Sequence, residues 1–347
     1  LDSQQLRARL ALRGAPGSPY TRKMLALLRY RHIPYQLLIS SPEVEAGLPQ
    51  AKVQLLPTFY FPDDSGGVEP VVDSTPIIRR LEAEHAGRSV IPDDPVLKFL
   101  DYLLEDYADE WLTKAMFHYR WHYQADIDLA GDILPRWRNL KASEADIEPI
   151  SKFIRERQIS RLYVVGSNDT TAPVIEESYQ RFLDLFRDHL MAGPYTLGSR
   201  PGSADFAIYG QLTQLAHFDP TPRAETLSRA PQVFAWVDVV DDLSGLDLTE
   251  SHWFDRDELP ATLNALLAEV GRVYAPALLA NAAAVEAGDE RVETQIAGKP
   301  WVQQPFPYQA RCLQWLRQEY VRLQDDDRKR VDELLNGTGC ETLFVKP

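Results

Sequence analysis

The spacing of apolar residues changes character once along the chain, and that change constrains the fold most. Up to about residue 86, short alternating runs are interleaved with a helical one; from about residue 96 the pattern is helical. Residues 9–13 read as a first strand, which Gly14-Ala15-Pro16-Gly17 breaks. From Pro19, Met24, Leu25, Leu27 and Leu28 recur at helical spacing, with Arg22, Lys23 and Arg29 elsewhere on the wheel. Residues 35–39 read as a second strand. Residues 58–61 and 69–72 flank the turn 63–67 and read as a hairpin, and a helix follows from Thr75 to about Ala86. The order β-α-β, then β-β-α, predicts an α/β domain over residues 1–86.

Residues 87–95 are rich in turn formers and read as a linker. Beyond them, Leu103, Tyr107 and Trp111 form one helical stripe, and Ile175, Tyr179, Phe182, Leu183 and Phe186 another. Phe206, Tyr209, Leu212 and Leu215 form a third, and Val233, Trp236, Val237 and Val240 a fourth. An all-helical domain is therefore expected over 96–250, and a helical C-terminal extension over 251–347 with helices near 259–287 and 307–322. Three prolines between 298 and 307 argue against regular structure there. The acidic-then-basic run 325–330 reads as a solvated helix start.

Charge and cysteine content remove several function classes. Lys and Arg number 37 against 51 Asp and Glu, a net charge of −14 that disfavours nucleic-acid binding. Two cysteines exclude a disulfide framework, an all-cysteine zinc site and an iron–sulfur cluster. Cys312 aligns with Leu316 and Tyr320 as a core residue, whereas Cys340, in Gly337-Thr338-Gly339-Cys340, is expected to be exposed. The apolar run 259–287 is interrupted by Glu269, Arg272, Pro276 and Asn281, so no transmembrane segment is expected. Residues 1–5 show no leader pattern, and a cytoplasmic location is expected.

The chemistry-bearing stretch is Gly17-Ser18-Pro19-Tyr20-Thr21. A strand, a tight turn and Ser-Pro opening a helix place Ser18 at the N-cap and Pro19 at the first helical position. Leu56-Pro57-Thr58 sets a proline just before a strand, where a cis bond can hold a turn. Asp73-Ser74 closes a strand and opens a helix, a place suited to anchoring a charged ligand group. His118 and His122 share a helix face without an evident third ligand, so no metal site is expected. The aromatic stripe through Tyr107 and Trp111, with Met116, Tyr119 and Trp121, fits either bundle core or the wall of a pocket.

These motifs, in this order, resemble those of the soluble glutathione S-transferase superfamily over roughly residues 5–245. The resemblance implies a thioredoxin-like first domain and a helical second one. Where thiol-dependent relatives read Cys-Pro-Tyr-Cys, this chain reads Ser18-Pro19-Tyr20-Thr21, as in serine-type transferases. It implies that Ser18 activates the thiol of glutathione as the catalytic residue. Leu56, beside a cis Pro57, would bind the tripeptide through its backbone, and Asp73 and Ser74 would hold its γ-glutamyl end. A small apolar electrophile would lie near Tyr20, Tyr107, Trp111 and Met116. Gly202-Ser203-Ala204-Asp205-Phe206 resembles the capping motif of the second domain, with Gly202 where Ser or Thr is usual. Glutathione as co-substrate, no metal, a homodimer, and neither nucleic acid nor membrane as partner complete the expectation. A basic residue is frequent where Leu55 stands, with Lys52 near. Leu55 and the long tail favour the alternative, a non-catalytic ligand-binding or interaction protein of this fold.

Overall fold

The computed structural model describes residues 9–39, 46–63 and 66–345; residues 1–5 and the turn tip at Asp64 and Ser65, which the sequence reading used, lie outside them. Strand β1 (Leu10–Gly14), helix α1 (Pro19–Tyr30) and strand β2 (Tyr35–Ile39) form a β-α-β unit. Strands β3 (Thr58–Pro62) and β4 (Val68–Val71) form the hairpin, and α2 (Ser74–Glu84) follows. The sheet order is β2-β1-β3-β4, with only β2 parallel to its neighbour. Alternation along the strands sends Leu12, Phe59 and Phe61 into the main core and Ala11, Leu38 and Tyr60 into a smaller cluster. This is the expected thioredoxin-like arrangement.

The register collects the candidate residues at one end of the sheet. Arg13 pairs with Thr58, and Phe59 with Val71. Pro57 immediately precedes β3, and Asp73 follows β4 by two residues, at the same end of this antiparallel pair. That is the end at which β1 runs out into the turn before Ser18.

The helical part begins with α3 (Pro95–Tyr107), a π-helical turn (Ala108–Leu112) and α4 (Thr113–His122), joined end to end. Helices α5 (Gln124–Arg136) and α6 (Glu144–Ile159) pair with each other. The bundle continues with α7 (Ala172–His189), α8 (Ser203–Leu212), α9 (Pro220–Arg229) and α10 (Pro231–Asp241). The structure explains the glycine at the start of α8. A Cβ on Gly202 would stand 2.4 Å from Oδ1 of buried Asp101. That carboxylate caps the helix, accepting from the Ala204 amide at 3.0 Å and the Ser203 hydroxyl at 2.5 Å.

Helix α11 (Ala261–Glu269), a π turn (Val270–Tyr274) and α12 (Ala275–Ala287) follow, and α13 (Pro307–Arg322) and α14 (Asp325–Leu335) come later. Two expectations are corrected here. The proline-rich stretch is not irregular: β5 (Val292–Ile296) and β6 (Lys299–Gln303) form a hairpin, so the C-terminal segment is not purely helical. Its two-residue loop, Ala297-Gly298, has positive φ at both positions, as a tight hairpin requires. Pro300 is tolerated because this two-stranded sheet consists of edges only. Cys340 is fully buried, with its thiol on the Leu267 carbonyl at 3.1 Å. The run Ala261–Ala287 is, by length and composition alone, long and apolar enough to cross a membrane. More than half of its apolar window is buried in this fold, and Glu269 within it pairs with Arg181 at 2.9 Å.

The hairpin packs its buried Trp301 on Trp111, with ring centroids 5.4 Å apart. Lys114 is buried beside them. Among the described residues its ammonium has long hydrogen bonds only, 3.3 Å to the Val165 carbonyl and 3.5 Å to the side chains of Gln303 and Gln309. Burial pulls its pKa from 10.5 down to about 8. Below pH 8 the fold therefore carries the full penalty of a desolvated charge, and the penalty disappears as pH rises toward 10.5. A displacement of this size corresponds to about 3 kcal/mol. Lys114→Met is expected to raise stability by ~1–3 kcal/mol at pH 7 once the lost hydrogen bonds are deducted. Urea midpoints at pH 7 and pH 10 check this, and a gain of equal size at both pH values would contradict it.

Candidate functional site

Ser18 caps α1 as expected. Its Oγ accepts from the Thr21 amide at 3.2 Å and donates to the Leu56 carbonyl at 3.1 Å. The Leu56–Pro57 bond is cis. Thr21, the other hydroxyl of the motif, is buried and accepts from the Ala15 amide at 3.4 Å. Tyr20 directs its hydroxyl to the Asp109 carbonyl at 2.6 Å.

The bundle holds the turn before Ser18 from the other side. Arg120 donates to the Gly17 carbonyl at 2.9 Å, and Gln214 donates to that of Pro16 at 3.2 Å. Arg120 is itself fixed on buried Asp219 through a forked pair of bonds, at 2.9 Å from Nε and 2.8 Å from Nη2. A Cβ at Gly17 would meet Leu134 at 2.3 Å and Trp137 at 2.9 Å. Glycine thus lets the end of α5 lie directly over the turn, and an apolar surface stands beside Ser18.

Asp73 is the N-cap of α2 and a non-glycine residue at φ 83°, a region that favours glycine. Its Oδ1 accepts from the Thr75 amide at 3.3 Å, and its Oδ2 accepts from the hydroxyl of Tyr308 at 2.8 Å. Burial raises its pKa, while the bond from Tyr308 and the charge of Lys23 oppose the rise.

Ser74 is buried and rests on a buried charge. The Lys23 ammonium donates to its Oγ at 3.0 Å, to Glu105 at 2.8 Å and to Asp109 at 2.6 Å. Lys23 does not stand on a polar face of α1, as the helical wheel implied; it has no exposed surface. Burial alone would pull its pKa down, but Asp109 and Glu105 carry it above the usual lysine value. Glu105 also accepts from Thr75 at 3.1 Å, Arg79 at 2.6 Å and Ser203 at 2.9 Å. Against its burial, Arg79 and Lys23 hold Glu105 below the ordinary carboxylate range. Asp109 has fewer partners, and burial raises it. Because Lys23 occupies one lone pair of Ser74, the hydroxyl keeps its proton for an acceptor, with positive charge beneath.

The structure brings together Ser18, Leu56, Pro57, Asp73 and Ser74. It does not bring Tyr107, Trp111 or Met116 to them. All three are at least 95% buried in the core, and Trp111 donates its indole N–H to Ser178 at 3.0 Å. Of the two roles open to the aromatic stripe, these residues take that of bundle core and not the pocket wall the resemblance implied: Tyr107 packs on Phe182 and Tyr274, and Trp111 on Trp301 of the C-terminal hairpin. His118 lies between Ser167 at 2.8 Å and Glu176 at 3.0 Å, and its ring stacks on His122. Among the described residues, no group of three or more His, Cys, Asp or Glu is arranged for a metal ion. Sequence reasoning missed Lys23, Arg120, Gln214 and Tyr308. None had a local signal, because each acts through a partner more than fifty residues away.

Residues 12–89 match the family model of the glutathione S-transferase N-terminal domain, and residues 154–238 match that of the C-terminal domain. No curated protein matches the chain in sequence. Several solved structures are similar at low identity. A glutathione transferase family member from Pseudomonas fluorescens Pf-5, solved with two glutathione bound, is 13% identical over 67% of this chain and 92% of its own, with a TM-score of 0.42. A glutathione transferase from Pseudomonas putida, solved with one glutathione disulfide per subunit, is 14% identical over 74% of this chain and 90% of its own, with a TM-score of 0.39. A second family member from the Pf-5 strain, with bound S-(propanoic acid)-glutathione, is 21% identical over 70% of this chain and all of its own, at 0.35.

Proposed function

We propose that this chain, which carries both domains of the glutathione S-transferase superfamily, is a glutathione transferase that uses Ser18 to stabilise the thiolate. The observation that carries the reading is the Ser18 hydroxyl at the N-terminus of α1, 3.1 Å from the carbonyl that precedes the cis proline. A bound tripeptide would lay its cysteinyl N–H on the Leu56 carbonyl. The Ser18 proton would then turn from that carbonyl to the sulfur. An ordinary thiol has a pKa of about 8.5, so most of it is protonated at neutral pH. A charge-assisted bond from Ser18, together with the field of the α1 N-terminus, favours the anion. The thiol proton passes to solvent. The sulfur lone pair forms the bond to the electrophilic carbon, and the displaced pair leaves with the leaving group or moves onto the electrophile.

At the other end, Asp73 would take the γ-glutamyl ammonium. Ser74, with Lys23 beneath it, would take the α-carboxylate. The apolar electrophile would meet the sulfur against Leu134 and Trp137. The reading includes a homodimer, which sedimentation tests, and a cytoplasmic location. Among the described residues the Ser18 hydroxyl bonds the Leu56 carbonyl and the Thr21 amide and no histidine, which supports a role in hydrogen bonding and not as a covalent nucleophile. Disulfide exchange is disfavoured because Cys312 and Cys340 are both buried.

The test is calorimetric titration with glutathione, followed by conjugation to a chlorodinitroarene. Asp73→Ala should weaken glutathione binding by ~1.5–3 kcal/mol. Ser18→Ala should raise the pKa of the bound thiol by about one to two, seen in its thiolate absorbance, and lower turnover at pH 7. Ser18→Thr should restore both. Equal thiol pKa values and equal rates in wild type and Ser18→Ala would remove Ser18 from the mechanism. The second reading, a non-catalytic ligand-binding protein, is favoured by the Tyr308 hydroxyl already standing on Asp73. Binding of glutathione without conjugation of any arene would select it.

A further inference from the structure

Tyr308 lies at the start of α13, 235 residues from Asp73, and places its hydroxyl 2.8 Å from Oδ2 of that carboxylate. This is the oxygen that a γ-glutamyl ammonium would claim, since Oδ1 is already committed to the Thr75 amide. The hydroxyl is built in firmly. Just before it, the Phe306 amide donates to Oδ1 of fully buried Asn281 at 2.7 Å, and the Phe306 carbonyl accepts from Nδ2 of the same side chain at 2.9 Å. Just after it, Gln309 donates to Glu110 at 3.0 Å. The Tyr308 ring meets Trp315 edge-on at 5.9 Å, and the Arg311 guanidinium lies over its face at 5.6 Å. A segment tied on both sides of Tyr308, at Phe306 and Gln309, is a poor lid and a good fixed wall.

Resting on the glutathione reading above, we propose that Tyr308 is a specificity-determining residue. Its phenol supplies Asp73 with the donor that a ligand's α-ammonium would otherwise supply, so the site accepts γ-glutamyl-like thiols whether or not they carry that amine. A ligand without the amine leaves Asp73 paired to Tyr308 and still finds Ser74 and Lys23 for its carboxylate end. A ligand with the amine gains an ion pair only by giving up, or sharing, the bond from Tyr308. The two classes are thereby brought close in affinity. Without the phenol, the amine-free ligand would bury Oδ2 of Asp73 without a donor, which is costly, and the amine-bearing one would not.

The experiment titrates the full chain with glutathione and with its desamino analogue, glutaryl-cysteinylglycine, in wild type and in Tyr308→Phe, which keeps the ring and its packing. Wild type should bind the two within ~3-fold of each other; Tyr308→Phe should hold or tighten glutathione and weaken the analogue, widening the ratio ~10-fold. Asp73→Asn removes the demand for a cationic donor and should bring the ratio back toward one. A wild-type preference for glutathione above ~10-fold that Tyr308→Phe leaves unchanged overturns the proposal and leaves the glutathione reading standing. Binding of the analogue but not of glutathione overturns both, since the proposal requires the two to bind within ~3-fold of each other. Binding of neither overturns both.

Discussion

Replacing Lys23 by methionine is expected to destabilise the fold by ~3–5 kcal/mol, because it removes one partner from a buried ion pair and leaves the others charged. Lys23 has no exposed surface and touches Ser74, Glu105 and Asp109 at 2.6–3.0 Å. Arg79 would still hold Glu105, at 2.6 Å. Asp109 would have no cation, and its Oδ1 already lacks a partner. Burial holds the Asp109 pKa above the usual carboxylate value, so the cost depends on pH with a definite sign. At pH 8 Asp109 is ionised and the loss is largest. As pH falls through its raised pKa, Asp109 takes a proton and the loss shrinks. Denaturant midpoints for both proteins at pH 8, 7 and 5.5 check this. A loss that is constant across the series would show that Lys23 acts by packing alone. On the glutathione reading proposed above, removing the charge beneath Ser74 should also weaken binding of the ligand's α-carboxylate.

A loss of similar size is expected for Asp205→Ala. Asp205 is fully buried at the head of α8, where its Oδ2 accepts from the Gly202 amide at 2.8 Å and the Thr196 hydroxyl at 3.0 Å. Its Oδ1 accepts from the Thr196 amide at 2.8 Å. Alanine strands three buried donors at once; with ~1–3 kcal/mol for each and partial relaxation, the expected loss is ~3–5 kcal/mol. Asp205→Asn keeps one acceptor oxygen and should lose about half of that. Burial raises the carboxyl from 3.8 to about 7. A folded pKa above the unfolded one means that the native state binds the extra proton between those values. The stability contributed by that proton is present below pH 3.8 and is lost as pH rises through 7. The gap between wild type and Asp205→Asn should therefore widen as pH falls from 8 to 5. A gap that narrows over that range would refute the assignment.

How far the sequence carried depends on how local each signal was. The cap at Ser18, the cis Pro57 and the junction at Asp73 each announce themselves within a few residues, and their order places them at one end of a sheet. The start of α8 was legible through Asp205, and Gly202 became intelligible only once Asp101, a hundred residues earlier, was seen in the space of its Cβ. Lys23 misled because a helical wheel assumes one buried face, whereas α1 shares a core cluster with Leu12, Phe59 and Phe61 of the sheet and also packs against α8. Its acidic partners lie 82 and 86 residues on. The β5–β6 hairpin was hidden by Pro300, whose effect on a strand depends on whether a neighbour needs its N–H. The aromatic stripe from Tyr107 to Met116 had the right spacing for either role. What decided it was packing from elsewhere in the chain: Phe182 and Tyr274 on Tyr107, and Trp301 on Trp111.

The distance in sequence between Asp73 and Tyr308 also sets an order of events during synthesis. The two are separated by 235 residues, so at ~5–20 residues per second a ribosome takes roughly 10–50 s to deliver the second after the first. The thioredoxin-like domain emerges long before its wall does. During that interval Asp73 is open, and the Lys23 ammonium must wait for residues 105 and 109 to neutralise it. A nascent chain thus passes through a stage in which the Asp73 carboxylate stands without the Tyr308 hydroxyl.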